Sequence, residues 1–190
     1  LCGRGEPTLH PNFSEVVEIL VEKNINVFLY TNGARFDQHY NAISKLGVIH
    51  YDVYSEDDGD FTEAVVKVKS LPVTHKVVMM KPEDGKIRHK WSNGKFKLNS
   101  NQDFVENRAG SMDLDIKLKN KRYCKFIEEL VFIDWNGDYN LCCQDWKPKA
   151  LSNIYNEDIF TYFNKNKDLQ SYKNGIRSGN RLSPCDVCSI

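Results

Sequence analysis

Five of the six cysteines lie in the second half of the chain, at Cys124, Cys142, Cys143, Cys185 and Cys188. An isolated cysteine is a small apolar filler. A C-x-x-C pair joined by two distant cysteines is different, because four thiolates can then converge on one metal centre. Cys185 and Cys188 form that pair near the C-terminus, and Cys124 and Cys142 stand well upstream. Two chemistries compete for the set, a structural zinc ion and an iron–sulfur cluster. Zinc ribbons usually present two short C-x-x-C knuckles, whereas 17 residues separate Cys124 from Cys142. Cys143 is left over. On a strand it points away from Cys142, so a buried thiol is expected there, with exchange of roles between the two neighbours left open.

A second group of residues suits a small polar ligand. In Gly3-Arg4-Gly5-Glu6-Pro7 the glycines let the backbone approach a ligand closely, and a carboxylate or carbonyl there suits a cationic ammonium. The plainer reading is a helix entry with Pro7 in its turn. Thr31-Asn32-Gly33 carries the commonest turn dipeptide. The five histidines, His10, His39, His50, His75 and His89, are scattered without metal-ligand spacing and read as structural or exposed. Lys86 to Lys97 mixes bases with Trp91 and Phe96. An anionic or peptide ligand could use such a stretch, but a solvated loop accounts for it more simply.

The elements that must position these residues follow from the apolar pattern. Residues 13–23 carry apolar side chains at helical spacing, with Asn12 a candidate cap. Val27 to Tyr30 reads as a buried strand, 37–46 as a helix stopped at Gly47, Val48 to Tyr54 as a strand, 60–70 as a helix and Val73 to Met80 as a strand. Strand–helix alternation implies parallel pairing through right-handed crossovers. In such sheets ligands gather at the carboxyl ends of the strands, which is where Gly5-Glu6-Pro7, Thr31-Asn32 and Ser55 fall. Residues 81–100 read as an irregular connection with at most a short helix, 102–108 as a last strand and 111–121 as a linker. A hairpin follows, from Leu130 to Trp135 and Tyr139 to Cys143 about the Asn136-Gly137-Asp138 turn. A helix is expected at 157–172 before the C-x-x-C.

Bulk properties exclude several classes. The 190 residues can bury a core of one or two domains. The 26 Lys and Arg residues balance 26 Asp and Glu residues, so no charge surplus points to nucleic acid. No apolar run approaches the roughly 20 residues that cross a bilayer, so no membrane partner is expected. No apolar signal segment opens the chain. A reducing, cytoplasmic location is therefore expected, where thiols bind metal more often than they pair. The opening without methionine, on a glycine-rich turn, suggests that residues precede it.

Two motifs point to one family. Gly3-Arg4-Gly5-Glu6-Pro7-Thr8-Leu9 resembles the Gly-Glu-Pro segment ending the second barrel strand of radical S-adenosylmethionine enzymes. Cys124, Gly137, Cys142, Cys185 and Cys188 resemble the auxiliary-cluster domain, called SPASM or Twitch, of one branch of that superfamily. The resemblance implies an α/β fold: a partial (β/α)6 barrel missing its first strand or strands over 1–112, then a small α+β Twitch-like domain with a hairpin and one helix over 113–190. It implies an auxiliary 4Fe–4S cluster on Cys124, Cys142, Cys185 and Cys188. It also implies S-adenosylmethionine contacts at Gly5, Glu6, Pro7, Thr31, Asn32, Ser55 and Arg108. Tyr54-Ser55-Glu56 departs from the usual Ser-hydrophobic-Asp-Gly pattern.

Relatives bind a second 4Fe–4S cluster through C-x3-C-x2-C, which this sequence lacks. The expected polypeptide is thus an inactive piece of an oxidoreductase or maturase, with about 50 residues missing in front at ~30 per βα unit. The implied partners are a peptide or small-molecule substrate and an electron donor such as flavodoxin or ferredoxin. The rival is a non-catalytic binding module whose four cysteines hold structural zinc or no metal.

Overall fold

In the computed structural model, residues 1, 5–82, 87–94, 109, 122–146 and 148–188 are described. Two compact units divide the chain, Leu1–Asp103 and Phe104–Ile190. The expected boundary at 112/113, the strand at 102–108 and the linker at 111–121 fall outside the described residues.

The first unit opens with a 3-10 turn at Pro7–Leu9 and helix α1, Phe13–Glu22. Phe13 and Val17 mark the buried stripe of α1 at the spacing that places residues one turn apart on one face. Strand β1, Phe28–Thr31, follows. The expected helix at 37–46 is shorter than its pattern, a 3-10 turn at Asp37–His39 running into α2, Tyr40–Ile43. Strand β2 spans Val48–Val53, α3 Asp58–Ser70 and β3 His75–Met80. β1 pairs with β2, and β2 with β3, both in parallel. Leu29, Ile49, Tyr51, Val53, Val78 and Met80 turn to the helices and form the core with Phe13, Val17, Ile43, Val65 and Val68.

The (β/α)6 barrel expectation is corrected here. Among the described residues after β3 in this unit there is no crossover helix. The next strand is β4, His89–Ser92, which pairs antiparallel with β3. The result is an open four-stranded mixed sheet in the order β1-β2-β3-β4, with no barrel among the described residues. The physical reason is the length of the connection. A parallel return needs a dozen or more residues, usually a helix, and Lys81 to Arg88 supplies eight. Part of the stretch expected to be irregular is thereby a strand.

The second unit contains α4, Lys125–Glu129, then β5, Phe132–Ile133, and β6, Asp138–Asn140. β5 and β6 pair antiparallel as the turn signal predicts. Gly137 makes this turn at φ +86, a left-handed conformation that glycine adopts without strain. A third strand, β7, Ser152–Asn153, adds antiparallel to β6. The single helix expected at 157–172 is two, α5, Ile159–Lys165, and α6, Lys167–Ser178. Asn166 divides them because it is extended and its side chain caps α6 by accepting from Leu169 N at 3.1 Å. Ile127, Tyr139, Leu141, Tyr162, Leu169 and Ile176 form this unit's core, with the Tyr139 and Tyr162 rings stacked at 4.1 Å.

Candidate functional site

In the first unit the two turn motifs meet at the carboxyl end of β1. Glu6 caps the 3-10 turn, and its Oε1 accepts from Thr8 N at 2.9 Å and Thr8 Oγ1 at 2.7 Å. The same oxygen accepts from Thr31 Oγ1 at 2.7 Å, and Oε2 accepts from Asn32 N at 2.6 Å. Four donors thus serve one carboxylate, close to its full lone-pair capacity. The Gly33 amide donates to Thr31 Oγ1 at 2.9 Å, and Asn32 Oδ1 accepts from Ala34 N at 3.0 Å. Gly33 sits at φ +78, where a Cβ would lie 1.9 Å from Tyr51 Oη, so only glycine lets the turn close over that ring.

This arrangement brings Glu6, Thr31 and Asn32 together as their placement at strand ends suggests, with Gly5 and Pro7 flanking Glu6. The carboxylate is nonetheless engaged by its own chain, and what it does here is join the opening turn to β1. Thr8, fully buried and the donor of two of those hydrogen bonds, was not singled out by sequence reasoning. A hydroxyl two residues beyond a capping carboxylate is the signal that could have found it. Ser55 lies apart, donating to Asp60 Oδ2 and accepting from Asp57 N at 3.1 Å. It shapes the entry to α3. Arg108 is outside the described residues.

In the second unit Cys124, Cys142, Cys185 and Cys188 line one pocket. Cys124 stands at the N-cap of α4, Cys142 follows β6, and Cys185 opens a 3-10 turn that ends at Cys188. Glu128 of α4 accepts from Arg177 of α6 through both carboxylate oxygens, at 2.8 and 2.5 Å. This fork holds together two of the elements that frame the pocket. Phe126, Ile127, Ile176 and Pro184 share its walls, and Gln144 and Arg181 reach it. Neither polar residue was anticipated from spacing alone. Cys143 is half-buried, not lining the pocket, and its Sγ accepts from Gln144 Nε2 at 3.8 Å.

The 4Fe–4S assignment on these cysteines is corrected by the geometry. Among the described residues no group of three or more His, Cys, Asp or Glu side chains is arranged to hold a metal ion. The thiols share their walls with apolar side chains, and this sets their protonation. Burial pushes the Cys142 thiol up to about 12, against a smaller downward pull from the Gln144 and Asp145 backbone amides. Burial, reinforced by the neighbouring thiols, pushes Cys185 up to about 12 as well. At neutral pH the two buried members therefore stand as neutral thiols. No second cluster is placed on the described residues either. Nor is S-adenosylmethionine placed there: Glu6 and Ser55, two of its expected contacts, are engaged by internal hydrogen bonds.

No protein-family model, curated protein or solved structure matches the chain. Among the described residues no helix is long and apolar enough to cross a membrane.

Proposed function

We propose that the chain belongs to an oxidoreductase or maturase of the radical S-adenosylmethionine type and is inactive by itself. One observation carries the reading: Gly5-Glu6-Pro7 and Thr31-Asn32-Gly33, distant in sequence, are joined at one strand end through the Glu6 carboxylate. Carboxyl ends of parallel strands are where α/β sheets take their ligands, and a glycine-flanked turn anchored there leaves backbone groups to face one. Neither a cluster nor S-adenosylmethionine is assigned to the described residues. The test is the coding sequence upstream of Leu1. A C-x3-C-x2-C within about 50 preceding residues, at ~30 per βα unit, supports the proposal, and an intact gene without it overturns it.

A second reading is favoured by the protonation of the pocket. Cys142 and Cys185 are buried as neutral thiols beside apolar side chains, which suits a metal-free binding module. Elemental analysis of anaerobically purified protein separates the readings: no bound metal, with every thiol titratable after unfolding, supports the module. Stoichiometric metal excludes it.

A further inference from the structure

The central strand β2 departs from the pattern of parallel sheets. Strands between two parallel neighbours usually read as continuous apolar runs, because both faces are buried. β2 alternates instead. Ile49, Tyr51 and Val53 join the core beneath the helices, while His50 and Asp52 point to the opposite face. Both are nevertheless buried, at 6% and 9% exposure. Burying a carboxylate and an imidazole is costly unless they are paired.

They are paired with each other and with Lys81. Asp52 Oδ1 accepts from His50 Nε2 at 3.0 Å and from Lys81 Nζ at 2.8 Å. Burial alone would raise the Asp52 carboxyl, but the hydrogen bonds and charges of His50 and Lys81 outweigh it and hold the group below its ordinary value. Tyr30 of β1, in register with His50, sets its ring 4.7 Å from the imidazole. With Nε2–H donating to the carboxylate, the imidazole lone pair is on Nδ1. Among the described residues no group hydrogen-bonds to Nδ1, and it is not one of the sealed polar atoms lacking a partner. The Lys81 side chain keeps 27% of its surface exposed.

We propose that His50, Asp52 and Lys81 form a second site in the first unit, distinct from the Glu6 turn, for a small carboxylate-bearing ligand. Lys81 Nζ receives the ligand carboxylate, and His50 Nδ1 accepts a proton from an adjacent acidic position. In that step the ligand X–H bond breaks, its electron pair stays on the ligand, and the proton goes to Nδ1. Asp52 is a positioning residue: it fixes the tautomer and stabilises the imidazolium that forms.

Iodoacetate tests the proposal because it carries the carboxylate and reports the nucleophilic nitrogen. The Nδ1–CH2 bond forms, the C–I bond breaks and iodide leaves. The full chain, its thiols first blocked reversibly as methyl disulfides, is treated with iodoacetate or with neutral iodoacetamide, and each histidine is followed by peptide mass mapping. His50 is expected to be carboxymethylated about tenfold faster than the exposed His10 and His75, because a bound reagent reacts as if unimolecular. Iodoacetamide is expected to show no such preference. Lys81→Met should abolish the advantage of iodoacetate and Lys81→Arg should keep it. Asp52→Asn should slow His50 toward both reagents. His50 reacting no faster than the exposed histidines, or an iodoacetate advantage unchanged in Lys81→Met, would overturn the site. Thermal midpoints confirm that each variant folds, and if Asp52→Asn does not, the two lysine variants decide.

Discussion

The two units gather reactive side chains in opposite ways. At the edge of the first unit's sheet, one carboxylate is met by four donors, two of them from the buried Thr8. In the second unit four thiols line one pocket whose walls are shared with apolar side chains, and burial keeps the two innermost protonated. The first is a carboxylate saturated by donors of its own chain; the second holds two thiols kept neutral by desolvation. Residue types that look reactive in sequence therefore acquire their chemistry from what surrounds them. The contrast can be broken from either side.

The largest effect is expected at Glu6. Glu6→Ala leaves two buried threonine hydroxyls and two backbone amides short of an acceptor. A loss of about 3 kcal/mol in denaturant unfolding is expected, because orphaned buried donors cost more than the lost bonds are worth. Glu6→Gln keeps the shape and one acceptor oxygen and should lose less. A Glu6→Ala chain as stable as the parent would mean that the turn is not held by this carboxylate. Gly33→Ala comes next, at about 2 kcal/mol, combining a left-handed φ with a Cβ 1.9 Å from Tyr51 Oη. Truncating Tyr51 to Ala in the same chain should recover the steric part and leave the backbone part.

The thiol pocket is probed by pH. The folded values of Cys142 and Cys185 lie above that of an ordinary thiol, so their contribution to stability is complete below about pH 9. Above that the unfolded chain loses protons that the folded chain keeps, and stability falls until the folded value of about 12 is reached. Urea midpoints that decline over this range in the parent, and decline less in Cys142→Ala, are the expected result. In native protein at neutral pH, Cys124 and Cys188, both half-buried, should alkylate before Cys142 and Cys185. Equal rates at all four would remove the distinction between the inner and outer thiols.

Much of this architecture is legible in the sequence. β1, β2, β3, α1 and α3 carry strong periodic patterns, and their parallel order followed from the alternation of strand and helix. β4 was not legible. His89-Lys90-Trp91-Ser92 has one residue, Trp91, against the core, and its strand character comes from pairing with β3, which propensity cannot anticipate. The break at Asn166 was hidden because apolar residues recur on both sides of it. The convergence of the cysteines was readable from their spacing. That they do not form a ligand set among the described residues was not, because it depends on side-chain placement in a pocket that Phe126, Ile127 and Ile176 also line. Glu6 was recognised as special from its glycines, yet its partner Thr8 was missed because a hydroxyl inside a turn looks ordinary.

The smallest effects compare two carboxyl-end residues of the same sheet. Asp52 has a folded value below its ordinary one, so its contribution is present above about pH 4 and is lost as pH falls through the folded value. Lys81→Met should shrink that acid dependence by removing one of the two groups that hold Asp52 ionised. Ser55 should matter least. It hydrogen-bonds to Asp60 and Asp57 at the entry to α3, but Asp57 itself caps the helix by accepting from Gly59 N at 2.7 Å. Ser55→Ala should therefore cost under about 1 kcal/mol, while Asp57→Ala, which removes the cap, should cost about 1 kcal/mol. If Ser55→Ala proved as damaging as Glu6→Ala, the sheet edge would be one cooperative network reaching from β1 to β2. If it is nearly silent, the stability of that edge rests on the Glu6 carboxylate.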